Sequence, residues 1–383
     1  MTGFSLSVER DGAPLHAAAH SHHPWPDVTF AAQEDAWRDA AEMLDRKWEH
    51  VFGRVIPAAQ QQIAKVLNLS DGSSIAFGPN THGFVLRLLS CFPAGKPVRV
   101  LTTGSEFHSA SRQFARFEED GGMQVTRIAT EPFDSFETRF ADAASSGRHD
   151  IVFVSQVFFD SGFRVCDLNR IVRAVRNPET FVVIDGYHGF MAVPTDIGAI
   201  ADRVFYLAGG YKYAMAGEGV CFLHCPQGYC PRPRDTGWYA GFSALEKSNG
   251  DVSYANDGSR FLGATFDVSG LYRFNAVQEW LERENMTVSK MLARVRDVER
   301  VFLAELNRGA GPIRSSNLTV PGEEPRGRFL AFHAPNAEQL AAALAARNII
   351  VDYRGNRLRV GFGIYHTEEH ALRLACALGS LTG

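Results

Sequence analysis

Short apolar runs bounded by glycine, proline and charge recur through the middle of the chain, most of them followed by a stretch with helical spacing. Such Val/Ile/Phe-rich runs read as buried strands, and they predict strands over 74–77, 98–101, 124–128, 151–155, 181–184, 204–207 and 219–223. Helices are expected over 84–91, 111–119, 135–145 and 167–176. Strand and helix in alternation imply an α/β body, with a mainly parallel sheet sandwiched by helices. Ahead of it, 31–69 reads as helical, with Trp37, Ala41, Leu44 and Trp48 at helical spacing as core or subunit contacts. After Phe222 the alternation stops. A loop-like stretch (226–241) leads to a long helical region over 271–308, interrupted near Asn285. Strands over 328–333, 349–351 and 357–361 follow, with helices over 337–346 and 368–378. The expected organisation is an N-terminal segment (1–50) packed on the small domain and the active site, a large domain (51–270) and a small C-terminal α/β domain (271–383).

The stretch from Phe181 to Phe222 carries the chemistry. One apolar run stops at Asp185, and the next gives way to Ala208-Gly209-Gly210-Tyr211-Lys212-Tyr213. In an open α/β sheet, functional side chains sit just past the carboxyl ends of the strands. Asp185 and Lys212 would occupy that position on neighbouring strands. A buried ion pair, or an aspartate capping a turn, is the plain reading of such a couple. The chemical reading is a pyridoxal phosphate site, which needs a lysine for the Schiff base and an acid beside the pyridine nitrogen. Partial burial among glycine and tyrosine would lower the lysine pKa toward the neutral amine that attacks an aldehyde.

Composition narrows the classes. Hydrophobic residues make up 45% and charged residues 21% of 383, as in ordinary globular proteins. A net charge of −4 gives no bias toward nucleic acid or an anionic membrane. The lysines are Lys47, Lys65, Lys96, Lys212, Lys247 and Lys290, and only Lys212 stands among glycines and aromatics. No apolar run reaches membrane-spanning length, and the first nineteen residues are polar and broken by Arg10, Asp11 and Pro14, unlike a secretory leader. A cytoplasmic location with free thiols is therefore expected. Cys221, Cys225 and Cys230 enclose His224, but their spacing fits no common zinc pattern, so no metal site is expected. The prolines around His20, His22 and His23 exclude a helix there.

Further candidates lie at other strand ends. The predicted strand at 74–77 leads through Gly78-Pro79-Asn80-Thr81-His82-Gly83 into a helix. A helix start of this kind favours an anion, although Asn80 or Thr81 could equally serve only as a cap. Phe107 follows another strand and could lie flat against a cofactor ring, with His108 as its rival; a core aromatic is the plain alternative. Arg359 lies in a predicted strand near the C-terminus, and a guanidinium fork suits a substrate carboxylate.

The pattern D-x-x-H, a strand, then Y-K-Y-x-x-x-G, carried here by Asp185, His188, Tyr211, Lys212, Tyr213 and Gly217, strongly resembles kynureninase and the wider class V aminotransferase superfamily. That resemblance spans Ile75 to Tyr365 on its motif positions. It implies the type I pyridoxal-enzyme fold, with a mainly parallel seven-stranded sheet and a small α/β domain, and a homodimer whose sites are built from both subunits. It implies that Lys212 carries pyridoxal 5'-phosphate, that Asp185 holds the ring nitrogen and that Tyr211 contacts the phosphate. Thr81, His82 and His188 would bind the cofactor, Phe107 would stack on it, and Ser161-Gly162 would form part of the site wall. Trp238, within Thr236-Gly237-Trp238-Tyr239, and Thr265 would reach the partner's cofactor. Arg359 and Asn80 would bind the substrate, and the N-terminal segment would close over the site. The sequence departs from kynureninase at Ser109-Ala110-Ser111, where an aspartate is usual, and at Gly241, where a histidine is usual. The activity implied is kynureninase-like hydrolysis of an L-amino acid between Cβ and Cγ, with amino transfer to a keto acid as the alternative. A cysteine desulfurase would need a mobile cysteine near the small domain, and Cys376 falls in a predicted helix. A non-catalytic pyridoxal-binding sensor is a further alternative, against which Lys212 and Asp185 weigh.

Overall fold

The computed structural model describes residues 3–247, 251–322 and 324–381. Strand β1 (Leu15–His16) and helices α1 (Val28–Met43), α2 (Lys47–His50) and α3 (Ile56–Leu67) precede the α/β body. The body runs β2 (Ile75–Gly78), α4 (Thr81–Leu89), β3 (Val98–Thr103), α5 (His108–Glu119), β4 (Met123–Ile128), α6 (Phe133–Ala144), β5 (Ile151–Ser155), α7 (Leu168–Ala174), β6 (Phe181–Asp185), β7 (Val204–Gly209) and β8 (Cys221–His224). These seven strands form one sheet in the order β2-β8-β7-β6-β5-β3-β4. Neighbours from β4 to β7 pair in parallel, whereas β8 is antiparallel to both β7 and β2. Every residue of β5, β6 and β7 is buried, as helices on both faces require. This is the expected α/β architecture with a mainly parallel seven-stranded sheet.

Helices α8 (Ser269–Arg283) and α9 (Val288–Arg308) break at Asn285, whose φ of +53° is left-handed. Then come β9 (Leu330–His333), α10 (Ala337–Ala345), β10 (Ile349–Ile350), β11 (Asp352–Arg354), β12 (Arg357–Val360) and α11 (Glu368–Gly379). A three-stranded antiparallel sheet, β11-β12-β9, shares an apolar cluster with α9, α10 and α11. The N-terminal segment joins it, because β1 pairs in parallel with β10 and Ala18 bridges to Gly361. Among the described residues, no helix is long and apolar enough to cross a membrane.

Several expectations are corrected. The helix expected from residue 84 begins at Thr81, because Asn80 Oδ1 accepts from Gly83 N at 2.9 Å and caps it. The strand expected over 219–223 starts at Cys221, since Gly219 has φ +85°. The helical stretch over 31–69 is interrupted by a left-handed Leu44 (φ +50°) and a π-turn over Val51–Val55. Trp37 and Leu44 are 74% and 69% exposed, so neither is core of this chain; only Trp48 packs inward, against Phe52 and Tyr239. The thiols are not all free. Cys91 and Cys230 form a disulfide that ties the end of α4 to the loop before Trp238. The two lie 139 residues apart, and no local pattern links them. Strand β11 went unpredicted.

Candidate active site

Strands β5, β6 and β7 end side by side. Ser155 pairs with Asp185 across β5 and β6, and the chain leaving β7 turns through Gly210 and Tyr211 to Lys212. Glycine is required at this exit: a Cβ on Gly209 would stand 2.4 Å from the Tyr187 hydroxyl. The turn ahead of α4 reaches the same place. Together these ends enclose a cavity of about 260 Å³, walled by Asn80, Thr81, Phe107, Asp185, His188, Tyr211 and Lys212 among others. Seven residues named from sequence therefore share one cavity.

Lys212 is 5% exposed, and its Nζ lies 2.6 Å from His188 Nε2. The rings of Tyr187, Phe107 and Tyr211 stand 5.3, 5.4 and 5.6 Å from it. Burial, reinforced by the charge of Arg359 and opposed by that of Asp185, lowers the Lys212 pKa to about 7. Burial raises Asp185 to about 6, against the hydrogen bond from Tyr187 N (2.9 Å) and the charge of Lys212. The same desolvation, with Lys212 beside it, holds His188 well below its ordinary value, so its ring is neutral. Burial raises the Tyr211 phenol, which therefore stays protonated.

Of the other candidates, His82, Ser161, Gly162, Trp238, Thr265 and Arg359 do not line the cavity, so the expectation that Ser161-Gly162 forms part of the wall is corrected. His82 is exposed in the first turn of α4. Trp238 is 43% exposed and Thr265 is exposed, so neither reaches the cavity of its own chain. Asn80 spends its carbonyl oxygen on the α4 cap, which leaves its amide NH₂ for a ligand. Arg359 is buried behind the wall. Its guanidinium donates to Asp352 and to the Phe159 carbonyl, and Phe159 itself lines the cavity. The N-terminal segment does pack here. The His22 ring is 5.4 Å from that of Tyr211, and Trp25 lies so close to Gly217 (φ +72°) that a Cβ there would meet it at 2.3 Å.

Sequence reasoning missed Tyr187, whose ring borders Lys212, and three further residues. Glu106 is 2% exposed; it accepts from Thr103 Oγ1 at 2.7 Å and from Ser155 Oγ, on the cavity wall, at 2.5 Å. Phe159 meets Phe107 edge-on, with ring centroids 5.4 Å apart. Asp352 faces Arg359 across a hairpin. A usable signal existed for that pair, because Gly355-Asn356 between Arg354 and Arg357 is a two-residue hairpin turn and sets the register.

The residues fit pyridoxal phosphate. The amine of Lys212 loses its proton near neutrality, an acid stands on the neighbouring strand, and an aromatic face and a capped helix start border the same cavity. His188 Nδ1 is a buried polar atom without a partner, as a site shaped for a further polar group would leave it.

Comparison with known proteins supports the class V family and its cofactor rather than kynureninase in particular. The family described as aminotransferase class-V matches residues 33–374. A probable cysteine desulfurase of Vibrio cholerae serotype O1 is 22% identical over 297 residues, covering 73% of this chain and 70% of that protein. Isopenicillin N epimerase of Streptomyces clavuligerus is 27% identical over 365 residues, 86% of each. The solved complex of a cystine C-S lyase with its reaction product, cysteine persulfide, superposes with a TM-score of 0.78 at 15% identity, covering 97% of this chain and 99% of that one. At that identity the likeness shows the fold alone, which is the type I fold of pyridoxal enzymes.

Proposed function

The chain belongs to the aminotransferase class-V family, as an enzyme with pyridoxal phosphate as its cofactor, and we propose that it cleaves an L-amino acid of kynurenine type hydrolytically between Cβ and Cγ. The observation that carries amino-acid chemistry is the Lys212 amine, poised near neutrality and 2.6 Å from His188 in an aromatic-walled cavity. The kynurenine-type outcome rests on the Asp185-x-x-His188 and Tyr211-Lys212-Tyr213 motifs and on the aromatic wall of Phe107, Phe159 and Tyr187.

When bound, the cofactor supplies an electron sink for bonds at the substrate's α-carbon. Lys212 would hold the cofactor through Nζ, and its amine would serve as the base for the substrate's α-proton. Asp185 would hold the cofactor through its carboxyl. Thr81, the first turn of α4 with His82, and the Tyr211 hydroxyl would bind the phosphate. Neutral His188 would orient Nζ, and Phe107 would pack against the ring. Arg359, with the Asn80 amide, receives the substrate α-carboxylate. Trp238 and Thr265, exposed and outside the lining of their own cavity, would complete the site of a second protomer in a homodimer.

Desulfuration through a cysteine of the cavity wall is not what the site favours. Cys221 is the cysteine in the cavity wall, and burial pushes its thiol up to about 12, the reverse of an activated nucleophile. The deciding experiment incubates the holoenzyme with L-kynurenine, 3-hydroxykynurenine, L-cysteine and a panel of amino acids, with and without a keto acid. Water with kynurenine should yield anthranilate and alanine without any keto acid. A strict keto-acid requirement makes the enzyme an aminotransferase, and loss of optical purity alone makes it an epimerase. Turnover of none of these, with no spectral response to any amino acid, overturns the amino-acid reading.

A further inference from the structure

The Gly355-Asn356 turn places Asp352 directly opposite Arg359. Directly opposed side chains on antiparallel strands are close neighbours. Arg359 is 3% exposed, with one arm on the Asp352 carboxylate, the other on the Phe159 carbonyl, and a buried Nε that has no partner. Asp352 is held from two further sides. Arg354 Nη1 donates to Oδ1 at 2.7 Å, and the His20 ring, kept neutral by burial that lowers its pKa to about 3, stands with Nε2 3.6 Å from Oδ2, beyond hydrogen-bond range. The His20 ring is itself fixed, stacked on Phe329 at 4.6 Å. A buried guanidinium needs a counter-charge, and here the protein supplies one from within.

We propose that Asp352 is a resident carboxylate that occupies Arg359 in the empty site and is exchanged for an external carboxylate, that of the substrate, so that it sets the enzyme's affinity for carboxylate ligands. The external carboxylate takes over the Arg359 fork, including the unpartnered Nε. Asp352 withdraws onto Arg354 and His20, which already flank it, so neither charge is left alone. The substrate part of this rests on the reading of Arg359 as the α-carboxylate grip; the exchange itself does not.

The test uses Asp352→Asn and Asp352→Ser in the holoenzyme, with acetate as probe and acetamide and chloride at matched ionic strength as controls. Without its counter-ion, Arg359 should depress the thermal midpoint of both variants. Acetate should restore it where acetamide and chloride do not. The wild type should respond more weakly to acetate, because Asp352 competes for Arg359, and Asp352→Asn with Arg359→Gln should lose the response. For the amino acid turned over, the KM of Asp352→Asn should fall by roughly tenfold, equivalent to about 1.4 kcal/mol, with kcat changed far less. Two variants guard against one failing to fold. If neither responds to acetate, or both respond equally to acetamide, the exchange is overturned. An acetate response with an unchanged KM keeps the exchange and instead removes Arg359 from substrate binding.

Discussion

Glu106 offers a measurable consequence of how the site is built. Its carboxyl is buried beside the cavity, and burial, aided by the charge of Asp185, raises its pKa from 4.5 to about 8 despite hydrogen bonds from Ser155 and Thr103. A carboxyl raised in the folded state contributes stability that is fully present below the unfolded value and is lost as pH climbs through the folded value. The window therefore runs from 4.5 to about 8. At ~1.4 kcal/mol per pH unit, that interval bounds the loss at roughly 5 kcal/mol, and relaxation around a buried charge reduces it to about 2–4 kcal/mol. Glu106→Gln keeps a carbonyl for Thr103, offers an amide donor to Ser155 Oγ and cannot ionise. Urea unfolding of the cofactor-free protein should find the variant within about 1 kcal/mol of wild type at pH 5, and more stable by about 2–4 kcal/mol at pH 9. Titration of Lys212 is common to both proteins and drops out of the difference, whereas Asp185, whose charge bears on Glu106, is part of what the difference measures. Parallel stability curves, or a variant less stable at pH 9, would refute the reasoning.

Two other outcomes follow from the same geometry. Because burial lowers Lys212 to about 7, its acylation rate in the cofactor-free protein should rise through pH 7 and level off above it. Borohydride should fix the cofactor on Lys212 alone; an inflection near the ordinary lysine value, or an adduct on another lysine, counts against its role. Since Trp238 is 43% exposed and does not line its own cavity, mixing inactive Lys212→Ala and Trp238→Ala subunits should regenerate one working site per mixed dimer. Absence of recovered activity in purified mixed dimers excludes shared sites.

The local pattern of the chain determined the sheet and its functional edge. Apolar runs that end in Asp185 or in Gly209-Gly210 can be placed only as buried strands with their exits at one rim, so Asp185 and Lys212 were legible as neighbours. The Asn80-Thr81 turn and Phe107 were legible for the same reason, because each follows a strand end. The tertiary structure decided what depends on distant partners and on water. Arg359 reads as a free fork in sequence, yet it is occupied by Asp352 and the Phe159 carbonyl, from another strand and another loop. Trp37 and Leu44 have helical spacing, but whether that face meets a core is settled by elements far along the chain, and here it meets none. Glu106 looks like any surface glutamate after a strand until β5 closes over it. Periodicity fixes which residues leave the water together, whereas charge state depends on how completely each is desolvated and which charges meet it there, and both are set only when remote segments pack.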